Sequence, residues 1–271
     1  MNNQAIGIFD SGIGGLTVAN AVSALMPNES IIYFGDTAHL PYGDKSKALI
    51  GNFATKISNW LLNEKKCKSV VIACNTASAV AYAPIRDAYK GSYPIINVID
   101  PIIEALVADK EIKKVGLIAT KTTIESGVYH EKVKRRKPEI EFVSLSTPLL
   151  APMIEEGYAN DNISHTIIWN YLKNPIFENI DALILGCTHY VIVKEEIDKF
   201  FKGKVKLFDS TDIVAKKLQK ILQKENLLSN RSKGDNHFYI SDFNQHFQLS
   251  AKRFYEQNIN LEHCNIWQNK I

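Results

Sequence analysis

Nine short apolar runs, separated by stretches with helical spacing, restrict this chain to a layered α/β fold. They are Ala5–Phe9, Ser30–Gly35, Val70–Ala73, Pro94–Val98, Val115–Ala119, Ile140–Leu145, Leu183–Gly186, Val205–Phe208 and His237–Ser241. Strand alternating with helix implies parallel βαβ units. Runs that are apolar almost throughout imply sheets covered on both faces. In such sheets ligands sit outside the carboxyl ends of the strands. The residues that follow each run therefore carry the functional information.

Two of those followers match. Val70-Val71-Ile72-Ala73 passes into Cys74-Asn75-Thr76, and Ala182-Leu183-Ile184-Leu185-Gly186 passes into Cys187-Thr188-His189-Tyr190. The cysteines are 187 − 74 = 113 positions apart, too far for a local repeat. The chain reads as two similar halves, each ending a buried strand in a cysteine that faces one pocket. The expected architecture is two three-layer α/β/α domains with mainly parallel sheets, related by a pseudo-twofold, with the active site in the cleft between them. Ile99-Asp100-Pro101 reads as the crossing, because the residue before a proline is pushed out of helix. Asp209-Ser210-Thr211 reads as the return, through a helix near Asp212–Lys224. The first domain is then 1–98 plus 209–271 and the second 99–208.

Bulk properties narrow the function. Of 271 residues, 45% are apolar and 23% charged, as in an ordinary globular protein. The net charge of 32 − 29 = +3 is too small for nucleic acid or an anionic membrane as main partner. The basic run Lys132–Lys137 reads as a solvated helix end, favourable with the helix dipole. No apolar run approaches a membrane span, and the first residues lack the charged region of a signal peptide. Four cysteines without a Cys-x-x-Cys pair are neither a disulfide framework nor a zinc module, so free thiols in the cytoplasm are expected.

Other strand ends supply polar groups. Asp10-Ser11-Gly12-Ile13-Gly14-Gly15 links the first run to a helix at Leu16–Leu25, a turn suited to an anionic group. It is not a dinucleotide fingerprint, since Thr17 stands where the third glycine belongs. The loop Asp36–Asp44 contains Pro41, Tyr42 and Gly43, and strand-end loops often carry function. A thiol, with a pKa of about 8.5, is readily tuned to act as acid or base near neutrality. At a helix N-terminus it leans toward thiolate, and both Cys74 and Cys187 are expected at strand-to-helix turns. A thiolate on one face of a Cα–H bond and a thiol on the other would invert the centre. A single strand-end cysteine is usually a small buried hydrophobe, but the repeated cluster favours function. A cysteine hydrolase would leave the second cysteine unexplained. A thiol redox enzyme would need the two sulfurs within bonding reach. A non-catalytic amino-acid-binding module would keep the cleft without inversion.

Asp10-Ser11-Gly12-Ile13-Gly14-Gly15, Pro41-Tyr42-Gly43, Ala73-Cys74-Asn75-Thr76 and Gly186-Cys187-Thr188-His189 together resemble the four signatures of the glutamate racemases, in their usual order, over roughly Ile6 to Phe254. The resemblance implies interconversion of L- and D-glutamate without cofactor or metal, supplying D-glutamate for peptidoglycan. It implies that Cys74 and Cys187 are the acid/base pair, assisted by Asp10 and His189. It implies substrate contacts from Asp10, Ser11, Pro41, Tyr42, Gly43, Asn75, Thr76, Thr188 and His189. Glu156, in a loop from Ser146 to Gly157, is a further candidate. The expected partner is the small-molecule substrate, with no nucleic acid or membrane, in a homodimer. A related two-cysteine racemase acting on aspartate or a hydantoin is the alternative.

Overall fold

The computed structural model describes residues 2–159 and 161–268. The first part of the chain forms β1 (Ile6–Asp10), α1 (Leu16–Leu25), β2 (Ile31–Gly35), α2 (Lys47–Asn59), β3 (Ser69–Ile72), α3 (Asn75–Ala88) and β4 (Ile95–Asn97). Then come α4 (Ile99–Ala108), β5 (Lys114–Ala119), α5 (Lys121–Ser126), α6 (Val128–Arg136), β6 (Glu141–Ser146), α7 (Leu150–Glu155), α8 (Asn162–Leu172), β7 (Ala182–Gly186), α9 (Lys194–Phe201) and β8 (Lys206–Phe208). The chain finishes with α10 (Asp212–Lys224), β9 (His237–Ile240), α11 (Gln245–Phe254) and β10 (Leu261–His263).

The strands form two sheets, ordered β10-β9-β2-β1-β3-β4 and β6-β5-β7-β8. Every pairing in both is parallel. The central strands are buried along their whole length, because helices cover both faces. The period of two is visible in the packing. Ile6, Ile8, Val71 and Ala73 join one hydrophobic cluster, whereas Phe9, Val70 and Ile72 join the other. Edge strand β6 has no fully buried residue, each being half-buried or exposed.

Two local readings of the sequence give way to the structure. The stretch Ile99–Pro101 is the first turn of α4 rather than a break. Proline lacks an N–H that this turn does not need, and the Asn97 Oδ1 accepts from the amides of Ile99 and Asp100, each at 2.8 Å. The loop expected from Ser146 to Gly157 contains α7. The tail beyond Phe254 returns as β10, pairing with β9 at the sheet edge.

The two sheets meet through side chains at their carboxyl ends. Tyr129 Oη donates to Asn75 Oδ1 at 2.6 Å. The hydroxyls of Thr76 and Thr120 lie 2.9 Å apart, and Thr122 Oγ1 donates to the carbonyl of Gly43 at 2.7 Å. Among the described residues no helix is long and apolar enough to cross a membrane.

Candidate active site

Strand β1 ends in Asp10 beside β3, whose end leads through Ala73 to Cys74; the Ala73 amide donates to the Phe9 carbonyl at 2.8 Å. In the other sheet β7 ends at Gly186, next to Ala119 of β5, and Cys187 follows. All these ends open on one cavity of about 50 Å³. Its walls include Asp10, Ser11, Pro41, Tyr42, Gly43, Cys74, Asn75, Thr76, Cys187, Thr188 and His189. Leu40, Thr120, Ala151, Pro152, Glu155 and Gly186 complete them.

The two thiols sit in different surroundings. Cys74 caps α3, its Sγ accepting from the Ala77 amide at 3.4 Å, and it faces Ser11 Oγ at 3.7 Å. Burial, reinforced by the nearby Asp10 carboxylate, pushes this thiol up to about 12. The helix N-terminus therefore does not make Cys74 a thiolate; loss of water outweighs the dipole. Cys187 precedes a 3₁₀ turn (Thr188–Val193) rather than an α-helix, so it has no helix dipole to lean on. Its neighbour is His189, whose Nδ1 lies 3.5 Å from the sulfur and whose Nε2 lies 2.7 Å from Glu155 Oε1. Burial disfavours the imidazolium, but hydrogen bonds to Cys187 and Glu155 outweigh it and hold His189 well above its ordinary value. Burial also acts on Glu155, and the bond to His189 wins there too, drawing the carboxyl below its usual value. Asp10 is raised by burial, against the attraction of His189.

Polar atoms are left over for a ligand. Asp10 Oδ2 accepts from the Gly12 amide at 3.1 Å, while its buried Oδ1 has no partner among the described residues. The buried Asn75 Nδ2 is likewise unpartnered. An acceptor and a donor of this kind suit an ammonium and a carboxylate. Among the described residues no group of three or more His, Cys, Asp or Glu side chains could hold a metal ion.

The family model described as Asp/Glu/Hydantoin racemase matches residues 17–218. A glutamate racemase of Neisseria meningitidis is 41% identical over 252 residues, 93% of this chain and 92% of its own. The chain belongs to the glutamate racemases, a group of isomerases. Among solved structures, a glutamate racemase from Francisella tularensis in complex with D-glutamate is 37% identical. It superposes with a TM-score of 0.92 over 98% of this chain and 99% of that one. A glutamate racemase isoform from Bacillus anthracis, 30% identical, gives 0.91 over 97% and 98%. The α/β fold of two parallel sheets with flanking helices is thus the racemase fold.

Every site residue named from the racemase-like motifs lines the cavity except Glu156. That residue is exposed at the end of α7. One position earlier, about 100° around the helix, Glu155 faces the cavity and holds His189. Pro148 and Pro152 lie near the two glutamates and leave no helical period by which to choose between them. Thr120 also escaped, having no motif of its own; it caps α5, accepting from the Thr123 amide at 3.4 Å. Two glycines of the first motif, Gly14 and Gly15, serve close packing. A Cβ on Gly14 would meet His189 Cε1 at 2.5 Å and Thr188 Oγ1 at 2.6 Å, and one on Gly15 would meet Asp10 Cβ at 2.5 Å.

Proposed function

We propose that this racemase interconverts L- and D-glutamate by a two-thiol, cofactor-independent mechanism, with Cys187 as resting base and Cys74 as resting acid. The carrying observation is that two cysteines from different sheets line one cavity in unlike proton environments. A Cys187 thiolate takes the Cα proton, helped by the imidazolium of His189, and the bonding pair stays on Cα. The Cys74 thiol gives its proton to the opposite face, under the influence of Asp10. The product leaves with a thiol at Cys187 and a thiolate at Cys74; the other enantiomer runs the same path backwards. Asp10 Oδ1 and Asn75 Nδ2 are the leftover groups best suited to the substrate ammonium and α-carboxylate. The D-glutamate held by the Francisella tularensis relative supports glutamate as substrate.

The cavity is small beside the roughly 300–1,000 Å³ of ordinary ligand sites. Substrate entry on this reading requires the two sheet units to part. Residues 1–98 with 209–271, and residues 99–208, are the domains that would do so, since each sheet draws its strands from one of these sets. Supply of D-glutamate for peptidoglycan is the biological role this activity would serve.

The test is circular dichroism with L-glutamate in D₂O, followed by mass analysis. Loss of optical activity with one deuterium at Cα, without added cofactor, supports inversion by proton exchange. A flat signal with glutamate and a decaying one with aspartate would move the assignment to the neighbouring substrate. Cys74→Ser and Cys187→Ser should each abolish two-way turnover while remaining folded. Full turnover in either variant would end the two-thiol scheme.

A further inference from the structure

The pocket wall Leu40–Gly43 belongs to no sheet, so something outside it must fix its position. Tyr42 is buried, and its Oη donates to Asp36 Oδ2 at 2.7 Å. Asp36 has no exposed surface and draws donors from three separate segments. His39 Nδ1 approaches it at 2.9 Å within the loop. Ser241 Oγ, just after β9, donates to its Oδ1 at 2.8 Å. The third segment is the C-terminal tail, which supplies Trp267 Nε1, 3.1 Å from the same Oδ1.

The tail is built to deliver that indole. After α11 the chain returns as β10, and the Cys264 amide donates to the Ile240 carbonyl at 2.9 Å. Asn265 Oδ1 then accepts from the Trp267 amide at 2.9 Å, fixing a tight turn. The indole meets His39 edge-on at 4.5 Å and Phe53 at 5.2 Å, while His39 stacks on Phe53 at 4.1 Å. Phe53 in turn meets the Tyr42 ring at 5.7 Å. Tyr42 is thus held at its hydroxyl by Asp36 and beside its ring by an aromatic cluster that Trp267 closes.

The geometry points to Trp267 as a positioning residue for substrate binding, acting through Asp36 on the Tyr42 wall of the cavity. The tail beyond α11 is then part of the binding apparatus rather than an appendage. A carboxylate without water is satisfied only by the donors brought to it. Remove the indole N–H and, among the described residues, Asp36 Oδ1 keeps only Ser241 and His39, so the carboxylate shifts toward them and takes the Tyr42 hydroxyl with it. The cysteines, carried by other strands, stay where they are. The effect should therefore fall on KM and spare kcat.

This inference rests on the racemase reading of the cavity, so wild-type turnover of L-glutamate is measured first. Its absence fails that reading; a normal wild type with unaltered variants fails only this one. Trp267→Phe keeps an aromatic ring and removes the donor. KM should rise severalfold, with about tenfold as the ceiling if the whole worth of one hydrogen bond to a buried carboxylate is coupled to binding, and kcat should stay within about twofold. Ser241→Ala, which removes another side-chain donor to the same oxygen, should give the same signature. The double variant should lose less than the product of the two, because both act through one group. A residue that merely stabilised the fold would lower Tm and leave KM alone. An unchanged KM in Trp267→Phe overturns the inference whatever happens to Tm; should that variant not fold, the KM of Ser241→Ala decides.

Discussion

Gly14→Ala is the sharpest test of how the two sheets share one site. Gly14 has no left-handed backbone, so alanine is conformationally allowed. The obstacle is space. The added Cβ would lie 2.5 Å from His189 Cε1, 2.6 Å from His189 Nδ1 and 2.6 Å from Thr188 Oγ1, where ordinary contact begins at 3.4 Å. The imidazole would have to recede by about 1 Å, a displacement of the size that costs on the order of 10²-fold in rate. It has little room, being held by Glu155 at 2.7 Å and backed by the Phe254 ring at 5.4 Å. Overpacking of this kind destabilises by about 1–3 kcal/mol. Gly12→Ala is the matched control. Its Cβ would meet Leu40 Cδ2 at 3.5 Å and Glu155 Oε1 at 3.8 Å, both ordinary contacts, so turnover should stay within about threefold. Both variants are assayed by loss of optical activity of L-glutamate, with thermal unfolding in parallel. A folded Gly14→Ala protein with wild-type turnover would refute the claim that His189 must pack against this turn. Equal losses in both variants would refute the steric argument.

Other outcomes follow from the same contacts. Glu155→Gln removes the carboxylate that helps hold His189 protonated. The alkaline limb of the kcat/KM profile should move to lower pH, and the rate should fall by a factor of about 10²–10⁴, as for a lost proton-transfer assistant. His189 is raised in the folded protein, so its charged form stabilises the fold fully below its ordinary value of 6.5. That stability is lost as pH rises through the folded value; urea midpoints against pH should show the loss at lower pH in Glu155→Gln. Lys68 is buried and gives its three protons to Glu29, the Asn2 carbonyl at 2.7 Å and the Leu227 carbonyl at 2.7 Å. Lys68→Met should cost about 3–5 kcal/mol by stranding Glu29, and Lys68→Met with Glu29→Gln should recover most of it in urea titrations. Gly51→Ala fills open space in α2 and should stabilise by roughly 0.5–1 kcal/mol, read as a rise in Tm.

The motif residues could be read from the chain because each follows a strand, and parallel α/β sheets place such residues at one edge. That rule alone carried Asp10, Cys74 and Cys187 to a common cavity 113 positions notwithstanding. Glu155 was not legible, because choosing it over Glu156 depends on the rotation of a short helix packed across the cleft. The protonation of the Cys74 thiol was not legible either. A helix N-terminus is a local feature, and from sequence it argued for thiolate at Cys74. Burial and the Asp10 charge belong to the assembled protein, and they reverse the outcome.

By itself, then, the sequence determined the parallel α/β architecture, the strand ends that carry chemistry and the two cysteines at their centre. These follow from periodicity and chain order, which are local. Only the tertiary structure decided that His189 stands between Cys187 and Glu155, that Gly14 exists to admit it, and that Trp267 reaches Asp36 from 231 residues away. Each of these depends on surfaces that meet only once the sheets have packed, and desolvation, the strongest influence on the charges there, exists only in the folded chain.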